Sequence, residues 1–105
     1  MSYEYGEIDL GGLIEWLGSQ QYDRKIKYGF GSPHSDRGYY DDVAFEPVED
    51  TTIGAMLSHA ESALGATFEG YKGGDFIMRD YTPVRIGEYG SCGECITWTH
   101  LRSWE

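Results

Sequence analysis

Residues 29–40, Gly29-Phe30-Gly31-Ser32-Pro33-His34-Ser35-Asp36-Arg37-Gly38-Tyr39-Tyr40, gather side chains that could hold a small anion. Ser32 and Ser35 offer hydroxyls, and His34 offers ring nitrogens as donor or acceptor. Arg37 offers a planar fork that matches phosphate or carboxylate, and Lys27 adds a point charge just upstream. Gly29, Gly31 and Gly38 would let backbone N–H groups turn toward a ligand, as in an anion-binding nest. Tyr39 and Tyr40 could stack a base, while Asp41, Asp42 or Glu46 could accept from ribose hydroxyls or base amines. The same residue types also build ordinary loops, with Tyr40 and Phe45 in the core and Arg37 paired to a carboxylate. Both readings stand on the sequence.

Charge distribution favours the first. Arg24, Lys25, Lys27 and Arg37 are four of the eight basic residues, and only Asp36 is acidic between Arg24 and Arg37. That window carries about +3 and the rest of the chain about -13. A basic island on an acidic body attracts one small anion without making the whole surface adhesive to polyanions. Ser32, His34 and Asp36 imitate a nucleophile–base–orienter set. Three residues so close in one turn-rich segment give no assurance of alignment, so no catalytic residue is assigned.

The second chemical motif is Cys92-Gly93-Glu94-Cys95. With His100 it spells C-x2-C-x4-H, and Glu105 falls where a zinc knuckle places its last cysteine. A structural zinc site closes its tetrahedron with Cys and His ligands, and Ile96 to Leu101 reads as strand rather than a knuckle turn. No metal is therefore assigned, Cys92, Cys95 and His100 being the one set with ligand-like spacing. A Cys-x-x-Cys opening a helix beside a βαβ unit would suggest redox chemistry, but that context is missing. The reading is two reduced thiols with structural or surface roles, and no cofactor is expected.

The elements that must position these residues follow from periodicity and punctuation. Asp9 caps a helix over 9–19, with Leu10, Leu13, Ile14 and Leu17 on one face and Gly18 as a stop. Residues 24–30 alternate as a strand with Ile26, Tyr28 and Phe30 on one side, and 29–42 reads as a long turn-rich segment. Val43 to Val48 is a short strand that Pro47 places at an edge or ends early. Thr51 or Thr52 caps a helix over 52–64 whose stripe is Ile53, Met56, Leu57, Ala60 and Leu64, and Gly65 stops it. Residues 66–71 and 75–79 form a hairpin through Lys72-Gly73-Gly74. Strands at 83–89 and 96–101 flank the cysteine loop. Of the three tryptophans, two belong in the core, and Trp104 is placed on the surface as an interface anchor. The expected fold is α+β: a small antiparallel sheet of five or six strands with two packed helices, one domain over residues 1–105.

Composition bounds the function. At 105 residues there is room for one core. Apolar residues at 40 % and aromatics at 15 % argue for a folded chain rather than an acidic disordered one. A net charge of -10 argues against a nucleic-acid track. No apolar run is long enough for a membrane span, and Met1-Ser2-Tyr3-Glu4-Tyr5 lacks the start of a secretory signal, so a cytoplasmic protein is expected.

The segments Gly31 to Tyr40 with Ala44-Phe45-Glu46-Pro47, Ala63 to Gly74, and Tyr89-Gly90-Ser91-Cys92-Gly93 together resemble a pattern in small uncharacterised proteins of bacteriophages, over roughly residues 28–95. The resemblance brings no activity and no catalytic residues. It implies a context, anti-defence accessory proteins in the host cytoplasm, some of which sequester nucleotide-derived immune signals while others block defence proteins directly. The leading expectation is a non-enzymatic protein that captures a small nucleotide-like anion through Lys27, Ser32, His34, Ser35, Arg37, Tyr39, Tyr40 and Glu46. The alternatives are an acidic inhibitor that binds a host defence or nucleic-acid-binding protein by imitating DNA charge, and a small nucleotide hydrolase or lyase. A homo-oligomer is compatible with each.

Overall fold

A computed structural model describes residues 8–37, 41–70, 73–88, 90 and 92–105. Asp9 opens α1 (Leu10–Gly18) by accepting the Gly12 N–H at 2.8 Å, and Leu10, Leu13 and Leu17 are buried as the spacing requires. β1 (Lys25–Ser35) and β2 (Val43–Thr52) then form a long antiparallel pair. Thr52 caps α2 (Ile53–Ala63) through the Ala55 N–H at 3.1 Å. The buried face of α2 ends on Ala63 rather than Leu64, because the chain leaves the helix at Leu64 and turns through Gly65 at φ +79°. β3 (Thr67–Glu69) and β4 (Asp75–Ile77) make the expected hairpin, with Gly73 and Gly74 at φ +96° and +87°. β5 (Val84–Ile86), β6 (Glu94–Cys95) and α3 (Trp98–Ser103) complete the chain.

The fold is α+β, with six strands among the described residues in two sheets rather than one. The main sheet runs β1-β2-β5-β6 and is mixed, because β2 pairs with β5 in parallel through Val43, Ala44 and Phe45. The crossover connection that a parallel pair requires contains α2 and the β3–β4 hairpin. Pro47 lies beyond the stretch of β2 that β5 covers, where its missing N–H breaks no ladder bond on that side.

Four expectations fail in the structure. The turn-rich segment from residue 29 is strand as far as Ser35, because a register shift between Phe30 and Pro33 absorbs Gly31 and Ser32 without ending the pairing. The expected strand at 96–101 is instead α3, whose start is fixed by the Thr97 N–H donating to His100 Nδ1 at 3.0 Å. Trp104 is not a surface anchor: it is 3 % exposed, its ring lies 5.7 Å from Phe30 and 6.4 Å from Trp16, and its Nε1 donates to the Tyr28 carbonyl at 2.9 Å. Tyr28, expected inside, is 69 % exposed.

One buried cluster joins the three helices to the main sheet, with Phe30 against Phe45 at 4.4 Å near its middle. Gly29 sits where α2 crosses β1, and an added Cβ would lie 2.6 Å from both Met56 Sδ and Thr51 Cγ2. The glycine expected to cradle a ligand instead lets a helix pack closely on the strand. Among the described residues, no helix is long and apolar enough to cross a membrane.

Candidate functional site

Strand register separates the residues selected from the sequence into two places. Lys27 and His34 are seven positions apart on β1, about 23 Å at roughly 3.3 Å per residue. One small ligand does not bridge that span through both side chains.

The far end of β1 is a closed polar cluster. His34, Ala44, Arg85 and Cys95 are successive cross-strand partners in β1, β2, β5 and β6, so they form one row across the sheet. Asp36, Asp42, Glu46, Gly87 and Gly93 lie two residues from members of that row and, by strand alternation, belong to the same face. His34 Nε2 contacts Glu46 Oε2 at 2.8 Å and the Gly87 carbonyl at 2.9 Å, while Nδ1 contacts the Ser35 carbonyl at 3.0 Å. Arg85 Nε donates to Asp42 Oδ2 at 3.0 Å and lies 4.0 Å from Asp36 Oδ2. The Gly93 N–H donates to Asp36 Oδ1 at 2.7 Å, and the Gly93 carbonyl accepts from Arg85 at 2.9 Å. Arg37, although exposed, donates to the Gly90 carbonyl at 3.0 Å. The described residues between β5 and β6 are thus held by side chains of β1, β5 and the residues just after β1, at Gly87, Gly90 and Gly93.

Burial decides what this cluster can do. Asp36 is fully buried, and Asp42 and Arg85 are nearly so. Burial opposes the charge on Arg85, but the hydrogen bond with Asp42 and the charges of Cys95, Asp42 and Asp36 outweigh it, holding the guanidinium above its ordinary range. Buried charges are tolerated when they are paired and hydrogen-bonded, and these are. Ser35 is 2 % exposed, which takes its side chain away from solvent-borne ligands. Ser32 is exposed at the register shift, and Tyr39 and Tyr40 lie outside the described residues. His34, Ser35, Arg37 and Glu46 are therefore assembled, but around the protein's own backbone.

The near end of β1 is open. A groove of about 430 Å³ lies between the start of β1 and the end of α3, lined by Arg24, Lys25, Ile26, Lys27, Tyr28, Ser103, Trp104 and Glu105. The carbonyl of Trp104 accepts from Arg24 at 3.3 Å, which ties the end of α3 to the strand. Lys25 and Lys27 are exposed, and the ammonium of Lys27 lies 3.5 Å from Asp50 and 5.9 Å from the Tyr28 ring centre. Among the described residues, no carboxylate lies within ion-pair distance of Arg24 or Lys25. Three cations, the carboxylate of Glu105, a second carboxylate from Asp50 beside Lys27 and an exposed phenol ring therefore meet at this groove. Its signal in the sequence was the basic run at residues 24–27. The exposure of Tyr28 was missed because strict alternation placed it on the side of Ile26 and Phe30.

The metal-like spacing does not converge. Among the described residues, no three His, Cys, Asp or Glu side chains group as metal ligands, and His100 uses Nδ1 to accept the Thr97 N–H. Both cysteines are thiols, Cys92 exposed and Cys95 half-buried. The acidic surface has its own focus at Tyr81, which is 69 % exposed. It lies between a concavity lined by Asp9, Glu15 and Asp80 and another lined by Asp41, Asp75 and Arg79. No family model, curated protein or solved structure matches the chain.

Proposed function

We propose that the protein binds a small nucleotide-derived anion without turning it over, in the groove between the start of β1 and the end of α3. The observation that carries this reading is the convergence of Arg24, Lys25 and Lys27 beside the exposed ring of Tyr28, on a chain of net charge -10. The two ammonium groups suit phosphate oxygens, Arg24 adds positive charge from where it braces Gln20 and the Trp104 carbonyl, and Tyr28 offers a face on which a base can stack. Lys27 is the residue of the sequence-selected set that this site retains. The resemblance to bacteriophage proteins supplies a context, sequestration of a nucleotide immune signal in the host cytoplasm, and binding alone suffices for that task. Calorimetry with cyclic dinucleotides, cyclic trinucleotides and cyclic ADP-ribose derivatives tests it. The expected result is one ligand class bound tighter than about 10 µM, about -7 kcal/mol, with its nucleotide recovered unchanged. Failure of every class at that threshold overturns the reading.

The surface around Tyr81 favours a second reading, an inhibitor that docks a basic protein. An exposed aromatic ringed by carboxylates combines an anchor with electrostatic steering. Under this reading, association with the partner weakens steeply with salt and is lost on Tyr81→Ala, while Lys25 and Lys27 are dispensable.

A further inference from the structure

The cysteine pair belongs to neither the open groove nor the Tyr81 surface, and its placement is specific. β6 is two residues long, lies at the outer edge of the sheet, and is held there by the pairs Arg85–Cys95 and Ile86–Glu94. Cys92 is exposed on the connection leading into it, and Cys95 is half-buried on the strand opposite Arg85. Between them lies Gly93, whose amide and carbonyl hold Asp36 and Arg85. The chain is folded tightly there: a Cβ on Gly87 would come within 2.5 Å of the Gly93 Cα, and a Cβ on Gly93 would come within 2.9 Å of the Ile86 carbonyl oxygen.

We propose that Cys92 and Cys95 form a thiol–disulfide exchange site for low-molecular-weight disulfides, and that closing the pair covalently secures the turn that holds the buried Asp36–Arg85 cluster. Exposure assigns the order. The Cys92 thiolate attacks one sulfur of an incoming disulfide RSSR, forming Cys92–S–S–R and releasing RS⁻, which takes a proton to become RSH. The Cys95 thiolate then attacks the Cys92 sulfur and expels the second RS⁻, also protonated to RSH. The protein loses two protons and two electrons, together two hydrogen atoms, and one RSSR becomes two RSH. Cys95 faces Arg85, whose charge is shared with Asp36 and Asp42, and Glu94 of its own strand is exposed. Cys95 thus meets one cation already matched by two carboxylates, and access rather than bare positive charge makes Cys92 the first thiol to react.

The test treats the intact protein with glutathione disulfide and follows mass, thiol alkylation and the Gly93 amide signal by NMR. The expected product has lost two hydrogens, resists iodoacetamide at both cysteines, shows no intermolecular crosslink, and has a shifted Gly93 amide that returns on reduction. Cys95→Ser should stop with one glutathionyl group on Cys92, and Cys92→Ser should react at least tenfold more slowly than the parent. The proposal is overturned if the parent stops at the mixed disulfide, if Cys92→Ser reacts as fast as the parent, or if ring closure leaves the Gly93 amide unmoved.

Discussion

The two ends of β1 carry similar polar chemistry and put it to opposite use. At the far end, His34, Asp36, Arg37 and Glu46 meet acceptors and donors supplied by β2, β5 and the β5–β6 connection. At the near end, Lys25 and Lys27 line a groove open to solvent beside Tyr28. The difference is the neighbour. Three further strands extend the sheet beside residues 33–35, so polar groups there have partners within the fold. Residues 25–30 pair with a stretch of β2 that β5 does not cover, and their charges face water. Density of polar residues marks both regions, and only the accounting of their hydrogen bonds separates scaffold from site.

The largest expected effect breaks the closed end. Arg85→Met keeps much of the side-chain volume and leaves Asp36 and Asp42 buried without their cation. That loss should cost about 3–5 kcal/mol in denaturant unfolding, as for other buried pairs stripped of one partner. The pH dependence has a definite sign. Because Arg85 is raised in the fold, its contribution is complete below the unfolded-state value and is lost only as pH climbs through the still higher folded one. The stability gap between parent and variant should therefore be the same at pH 7 and pH 10. A gap that closes over that interval would show that the cation is not held by these carboxylates.

The next effect tests the open end. Lys25→Ala combined with Lys27→Ala should weaken ligand binding ten- to a hundredfold, about 1.4–2.8 kcal/mol, in calorimetry against whichever nucleotide binds the parent. Its unfolding free energy should stay within about 0.5 kcal/mol of the parent, because exposed charges contribute little to folding. Equal losses of binding and stability would erase the contrast between the two ends.

Much of the scaffold was legible in the sequence, because it is encoded locally. Asp9 and Thr52 cap helices, Gly65 ends one, and Gly73-Gly74 turns a hairpin, each within a few residues of its effect. What was not legible depends on distant partners. Nothing near Val43 announces that its neighbour is Val84, in parallel, and without that pairing Arg85 cannot be matched to Asp42. Gly31, Ser32 and Pro33 read as loop because their propensities are those of a loop, yet a bulge carries the ladder through them. Thr97 and His100 did hold a signal for α3, a cap residue followed at its third position by a side chain that returns to it, but the β-branched Ile96, Thr97 and Thr99 outweighed it. For the site, the basic run was visible, and the burial that withdraws Ser35 and Asp36 from ligand was not.

A smaller effect asks whether His34 is a brace. Its ring connects β1, Glu46 of β2 and Gly87 after β5, so His34→Ala should destabilise by about 2 kcal/mol while leaving nucleotide affinity within twofold. Glu46 is only partly buried and can be rehydrated, which keeps the cost below that of losing Arg85. His34→Gln, able to reach one of the two sides of the ring's contacts, should fall between the parent and alanine.

The smallest expected effect is the sharpest on the contrast itself. Ser32 was selected with His34 and Arg37 for the same anion, yet it lies exposed where the β1–β2 register shifts, beside a cluster whose other members bond to groups of the fold itself. If the far end is scaffold, the Ser32 hydroxyl has no ligand to meet, and Ser32→Ala should change neither the unfolding free energy by more than about 0.5 kcal/mol nor the calorimetric affinity. A tenfold loss of affinity would place ligand at the far end and require the strap through Gly87 and Gly93 to make room for it. The Lys25 and Lys27 double variant would then bind like the parent. The two variants therefore exchange outcomes between the two readings of β1, and measured side by side on one ligand they assign the site to one end or the other.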